Sequence, residues 1–274
     1  MSLFTRPPIT ALCLGGGGAR GFAHVGALKA FEEAGIKFDI CVGTSVGSLV
    51  GALYSFGIPT TKMIEFSHAL NVKDIHGGSF LFPPSCQKVG EAISPLVGNK
   101  NIEEAKIKFA AVAVNLITAK EVILDKGSVT DAVSASCAVP IFFKPLIKDD
   151  MHLVDGGLLN NIPADVCRMF GADVVVTVDV NPTRGGGTSE LGMLDIIKAT
   201  FSIMSAKTSE SGYRYSDIII APDMSKYRST KKDGYEEMMQ RGYEAAHSKI
   251  ADIKKLLNKG VSKFKKPQFA RKSN

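Results

Sequence analysis

The chain has 274 residues, of which 45% are hydrophobic and 22% charged. That is enough apolar material for a sizeable core and excludes a disordered or low-complexity protein. The formal net charge is +6, and the excess gathers near the C-terminus at Lys254, Lys255, Lys259, Lys263, Lys265, Lys266, Arg271 and Lys272. Such a segment is either a solvated helix end with a loose tail or a patch for anionic lipid or nucleic acid.

In chain order, the first residues lack a charged stretch followed by an apolar run, so no secretory signal and a cytoplasmic location are expected. Residues 11–14 read as a short buried strand, and the run Gly15 to Gly18 as a turn. A helix follows from Gly21, with Phe22, Val25, Leu28, Lys29 and Phe31 at helical spacing and Gly35 as its stop. Residues 37–43 read as a second strand and 46–57 as a helix stopped by Gly57 and Pro59. The uncharged stretch 40–58 is as long as a membrane span, but Gly43 divides it, and a span needs ~20 mostly apolar residues in one helix. A buried strand–helix unit explains the missing charge, because parallel sheets bury both faces. The alternation of strand and helix predicts a parallel sheet sandwiched by helices.

Further along, residues 60–71 and 86–98 read as helices, and 108–127 as two strands joined near Thr118 to Lys120, a hairpin. A short helix ends before Pro140, and residues 152–157 form a strand that meets a glycine turn. Residues 163–171 read as a helix, 172–180 as a β-branched strand, 181–190 as a flexible loop, 193–207 as a helix and 216–222 as a strand. One long closing helix spans 234–257. The aromatic loop SFLFPPS at 79–85 is either internal packing or an interfacial lid. Cys13, Cys41, Cys86, Cys137 and Cys167 are odd in number and lack metal-ligand spacing, which predicts buried reduced thiols. With no repeat and no long linker, one domain over 1–260 and a basic tail over 261–274 are expected.

Gly43-Thr44-Ser45-Val46-Gly47 fits G-x-S-x-G between a predicted strand and a predicted helix. A sharp turn there exposes the serine hydroxyl above the sheet, and a helix N-terminus favours developing negative charge. The other reading of Ser45 is an ordinary helix N-cap. Gly16, Gly18 and Gly21 fit the dinucleotide pattern G-x-G-x-x-G, but that reading needs an acid at the end of the next strand, and Asp39 lies at its start. Alternatively, the bare amides of the glycine run form an oxyanion hole, adjacent to Ser45 if the two strands are parallel neighbours. Arg20 then stabilises the loop or meets an anionic head group. A serine nucleophile needs a base. None of His24, His68, His76, His152 and His247 carries a signature. Asp155, in Val154-Asp155-Gly156-Gly157 at a strand end, is the better candidate. It needs desolvation to lift its pKa from ~3.9, and a plain Asp-Gly turn is its other reading.

Together, four blocks resemble the patatin-like phospholipase family in the family's order: GGGGARG, GTSVG, SASCAVPIFFKP and DGGLLNNIP. They run from Gly15 to Pro163, over half the chain, and the remainder is similar to a compact bacterial-type member. The resemblance implies a three-layer α/β/α fold with a mixed, mainly parallel central sheet. It implies a Ser45–Asp155 dyad and an oxyanion hole from the segment Gly16, Gly17, Gly18, Ala19, Arg20 and Gly21. Gly43, Thr44, Val46 and Gly47 would shape the elbow, and Gly156, Gly157, Asn161 and Pro163 the aspartate turn. It implies a lipid or lysolipid ester substrate; no metal, no cofactor and no nucleic-acid partner are expected, and the basic tail leaves transient contact with an anionic membrane surface open. Oligomeric state and head group stay open. Two rivals stand beside it: a regulatory adaptor on the same fold with little turnover, suggested by the basic tail and the 181–190 loop, and a nucleotide-binding module.

Overall fold

A computed structural model of the chain describes residues 5–69, 83–181, 192–227 and 232–262. The expected lid is therefore outside the described residues except for Pro83 to Ser85. The 181–190 loop is outside except for Asn181, and the basic tail is outside from 263 onward.

The elements begin with β1 (Thr5–Arg6), β2 (Thr10–Leu14), α1 (Phe22–Glu33), β3 (Ile40–Thr44), α2 (Val46–Ser55), α3 (Thr60–Ala69) and α4 (Gln87–Val97). Next come β4 (Lys108–Asn115), β5 (Lys120–Leu124), α5 (Val129–Ser136), β6 (Leu146–Lys148), β7 (Met151–Asp155) and α6 (Ala164–Met169). The chain continues through β8 (Val174–Val178), α7 (Met193–Tyr213), β9 (Ile218–Ile220), α8 (Tyr235–His247), α9 (Ile250–Leu257) and β10 (Val261–Ser262). Among the described residues no helix is long and apolar enough to cross a membrane.

Eight strands form one sheet in the order β6-β7-β4-β3-β2-β8-β9, with β5 on β4. The β3, β2, β8 and β9 neighbours and the β3–β4 pair are parallel; β5, β6 and β7 add antiparallel pairings. This is the expected three-layer arrangement. Successive residues of each central strand face opposite helical layers. Leu12, Leu14, Cys41, Phe109 and Ala111 join the larger cluster with α1, α2 and α5. Ala11, Cys13, Val42, Ala110 and Val112 join the smaller one with Ile162, Ala164 and Val166. Strands β2, β3 and β8 are buried along their whole length, which is why they read as continuous apolar runs. All five cysteines are buried and free.

Three details differ from the sequence expectation. The closing helix is two helices. At Lys249 the backbone N–H turns back to Ala246 O, three residues behind, and the ladder restarts with Ile253 N donating to Lys249 O; neither Gly nor Pro marks the break. Strand β6 is an extra three-residue strand against β7. Val261–Ser262, assigned from sequence to the tail, pairs with Thr5–Arg6.

The pairing on β4 positions everything that follows. Residues 111–115 pair with β5 on one edge. The other edge is shared: β3 occupies it up to Thr44 opposite Val112, and β7 occupies it from Leu153 opposite Asn115 down to Asp155 opposite Ala113. Since β3 is parallel and β7 antiparallel to β4, their C-terminal ends arrive head to head.

Candidate active site

Ser45 follows directly on β3 and caps α2 with φ 54 and ψ −131. A non-glycine residue in this region costs about 1–3 kcal/mol and persists only where the surroundings impose it. Here both flanking glycines are needed for close approach. A Cβ on Gly43 would collide with the Gly47 carbonyl, and one on Gly47 with the Leu14 carbonyl at the end of β2. The elbow is held from both sides. Ser45 N donates to Ser136 Oγ at 2.9 Å, Ser136 Oγ donates to Val112 O at 2.6 Å, and Ser48 Oγ donates to Ser45 O at 2.7 Å. Thr44 Oγ1 donates to the Asn160 carbonyl at 2.8 Å, tying the elbow to the aspartate turn. Val46 packs against Gly21, where any Cβ would strike it.

Asp155 ends β7 one β4 position beyond Thr44 and is 1% exposed. Gly156 makes the junction possible, because a Cβ there would collide with Val112 O and lie 3.1 Å from Thr44 Cγ2. The carboxylate Oδ1 accepts from Gly157 N at 2.8 Å, while Oδ2 is buried without a hydrogen-bond partner among the described residues. Burial pushes the Asp155 carboxyl up to about 6, against the lowering effect of the Ser45 hydroxyl and the Gly157 N–H. The Ser45 hydroxyl thus stabilises the Asp155 charge, short of a well-formed hydrogen bond. The Cys137 thiol beside them is raised by burial and then by the Asp155 charge, so it stays protonated and unreactive.

The glycine run lies against this pair. A Cβ on Gly16 would sit 3.2 Å from Ser45 Cβ. Its amide is already engaged, donating to Asn161 O at 3.2 Å, as Gly15 N donates to Val178 O at 3.0 Å. Among the described residues the amides of Gly17 and Gly18 have no acceptor, and Gly18 has φ 57, a left-handed position suited to glycine. Ala19 and Gly21 belong to the short helical turn Gly18–Gly21 that leads into α1. Arg20 braces that turn. Its Nε donates to Tyr227 O at 2.9 Å and its Nη1 to Asn181 Oδ1. His24, fully buried, holds the Gly15 carbonyl through Nε2 at 2.8 Å, and burial lowers its pKa to about 4, so the imidazole is neutral and structural. Asn161 Nδ2 donates to Ser209 Oγ at 3.0 Å and to Gly16 O at 3.5 Å, linking aspartate turn, glycine run and α7. Pro163 caps α6.

The sequence-derived residues therefore gather around one point at the C-terminal ends of β2, β3 and β7. The dinucleotide reading loses its remaining support. Asp39 Oδ2 accepts from Thr10 N and Oγ1 at the opposite end of the sheet. Clefts of 440 Å³ near β9 and α9 and 240 Å³ between α1, α3 and α8 are lined by neither Ser45 nor Asp155. Backbone geometry, not cleft size, marks the site. Sequence reasoning missed the bracing roles of Ser136 and His24 and the hydroxyls of α7. Ser205, Thr208 and Ser209, spaced i, i+3, i+4, form a polar stripe that is visible in the sequence without saying what it faces.

Comparison with known proteins bears on the family and the fold. The family profile described as Patatin-like phospholipase matches residues 12–168. The chain is 36% identical over 180 residues to patatin-like phospholipase domain-containing protein 6 of Mus musculus, covering 62% of this chain and 13% of that protein. It is 32% identical over 187 residues to an NTE family protein of Mycobacterium tuberculosis, covering 65% of this chain and 51% of the relative. The chain thus spans a minor part of the first protein and about half of the second. The crystal structure of VipD from Legionella pneumophila superimposes with a TM-score of 0.61 at 14% identity, over 94% of this chain and 69% of VipD, a likeness of fold.

Proposed function

The chain belongs to the patatin-like phospholipase family, and from that premise we propose that it is a serine acyl hydrolase that cleaves fatty-acyl esters of phospholipids or lysophospholipids. Ser45 is the nucleophile and Asp155 the base. The observation that carries this reading is the head-to-head arrival of β3 and β7 on one edge of β4, which brings a strained serine and a desolvated carboxyl together.

In the first half-reaction Ser45 Oγ bonds to the ester carbonyl carbon while the Asp155 carboxylate takes its proton. The carbonyl electron pair moves to oxygen, and the amides of Gly17 and Gly18 stabilise that charge. Collapse breaks the ester C–O bond, and the leaving alcohol takes the proton from Asp155. Water then adds to the acyl-Ser45 carbonyl, Asp155 again accepting the proton. The fatty acid leaves as the proton returns to Ser45 Oγ.

A carboxyl at about 6 serves as base at neutral pH, since it is ionised yet still basic. Membrane contact follows from the substrate class and belongs to the same proposal. The test is hydrolysis of a phospholipid and a lysophospholipid by purified protein. Ser45→Ala and Asp155→Asn are each expected to lose activity by at least about a thousandfold, with unchanged circular dichroism. Full activity in Ser45→Ala overturns the reading.

A further inference from the structure

Resting on that reading, we propose that Ser205 of α7 is a positioning residue for the second half-reaction: its hydroxyl helps hold the water that hydrolyses acyl-Ser45. The stripe of α7 facing the aspartate turn carries three hydroxyls. Thr208 Oγ1 accepts from Asn161 N at 3.2 Å and donates to Gly157 O at 3.2 Å. Ser209 Oγ accepts from Asn161 Nδ2 and donates to Ser205 O at 2.8 Å. Ser205 is 3% exposed, yet among the described residues its Oγ has no hydrogen-bond partner. An unpaired buried hydroxyl is destabilising, so the two satisfied neighbours make the third one stand out.

The Ser205 hydroxyl points to a definite place. Ser205 Oγ, Asp155 Oδ1 and Asn161 Oδ1 each lie 3.1 Å from the point that a Cβ on Gly157 would occupy. Three oxygens therefore converge over the bare α-carbon of Gly157, and the second unpartnered oxygen of the cluster, Asp155 Oδ2, belongs to the same carboxylate. A buried water typically takes about three polar partners. A water held beyond the α-carbon, at contact distance from it, would face these three oxygens, one of them on the group that must accept its proton. Asn161 links the nest to Ser45, since its Oδ1 is 2.5 Å from the Cβ position of Gly16, itself 3.2 Å from Ser45 Cβ. The balance of the step is unchanged. The water oxygen bonds to the acyl carbon, its proton passes to Asp155, the Ser45 Oγ–C bond breaks, and Oγ is reprotonated. Ser205 supplies orientation only, so acylation does not need it.

The experiment compares wild type, Ser205→Ala and Ser205→Thr with a p-nitrophenyl fatty-acyl ester, following p-nitrophenol release by stopped flow and acyl-Ser45 by quenched mass spectrometry. Ser205→Ala is expected to keep the acylation rate within about twofold and to lower deacylation about tenfold, the worth of one hydrogen bond. Acyl-Ser45 then accumulates. Hydroxylamine, a stronger small nucleophile, restores turnover, and Ser205→Thr, which keeps the hydroxyl, stays near wild type. The melting temperature of Ser205→Ala stays within about 4 °C of wild type, since at most one hydrogen bond to a water is lost. Unchanged deacylation in Ser205→Ala, an equal fall in both steps, or a rise confined to KM for lysolipid overturns the proposal for Ser205 while leaving the dyad intact. Absence of any acyl-Ser45 in wild type instead removes the acyl-hydrolase reading itself, and this one with it.

Discussion

Asp155 and His24 are buried within the same group of turns, and desolvation moves both toward the neutral form, with opposite consequences for pH. The Asp155 carboxyl sits at about 6, so the proposed base is half ionised there. Activity is expected to rise with pH along a single limb centred near 6, falling to about a tenth at pH 5. A profile of kcat/KM flat from pH 5 to 8 would show that Asp155 is not the base. For stability the folded pKa of Asp155 lies above the unfolded value. Its contribution is present below ~4 and is lost as pH rises toward 6, by ~3 kcal/mol in full. Asp155→Asn should therefore be more stable than wild type above pH 6, by a margin that shrinks toward zero near pH 4. His24, with a folded pKa of about 4, behaves in the opposite sense: its contribution is full above ~6.5 and is lost as pH falls toward 4. Melting curves of Asp155→Asn against wild type at several pH values isolate the aspartate, since the histidine is common to both.

At the scale of elements, close backbone approach decides where glycine is required. Helices α1 and α8 cross at a reciprocal pair. A Cβ on Gly26 would collide with Met239 O, and one on Gly242 with Ala23 O. Gly242→Ala is expected to destabilise by about 3 kcal/mol through this overlap, a drop in melting temperature of roughly 6–12 °C for a chain of this size; a drop under 2 °C would mean the helices separate freely. Gly47→Ala should be at least as damaging and should also abolish the elbow. Much of this region was legible in the sequence because burial on both faces leaves uninterrupted apolar runs in β2, β3 and β8, and because glycine marks the turns between them. The break between α8 and α9 was not legible. It is a one-residue change of hydrogen-bond partner at Lys249, with no residue type that signals it. Strand β6 was too short to show a period. The candidate dyad was legible as two motifs. Their meeting depended on β7 sharing an edge with β3, which is a long-range pairing that local patterns do not encode. The Ser205 hydroxyl was illegible because a serine inside a helix gives no sign of whether its partner exists.

On the scale of the molecule, the sheet acts as a rigid platform whose C-terminal edge collects three segments far apart in sequence. The glycine run follows β2, the elbow follows β3 and the aspartate turn follows β7, and each is braced to another by backbone or side-chain bonds such as Gly16 N to Asn161 O and Thr44 Oγ1 to Asn160 O. The proposed chemistry rests on that edge, where a tight turn strains Ser45, burial raises the Asp155 carboxyl and, among the described residues, the Gly17 and Gly18 amides have no acceptor. The measurement that bears most directly on this is peptide mass spectrometry of the protein quenched during turnover of a phospholipid. The expected result is a fatty-acyl adduct on Ser45 in wild type and none in Asp155→Asn. An adduct on a different residue, or full hydrolysis with Ser45 never modified, would contradict it.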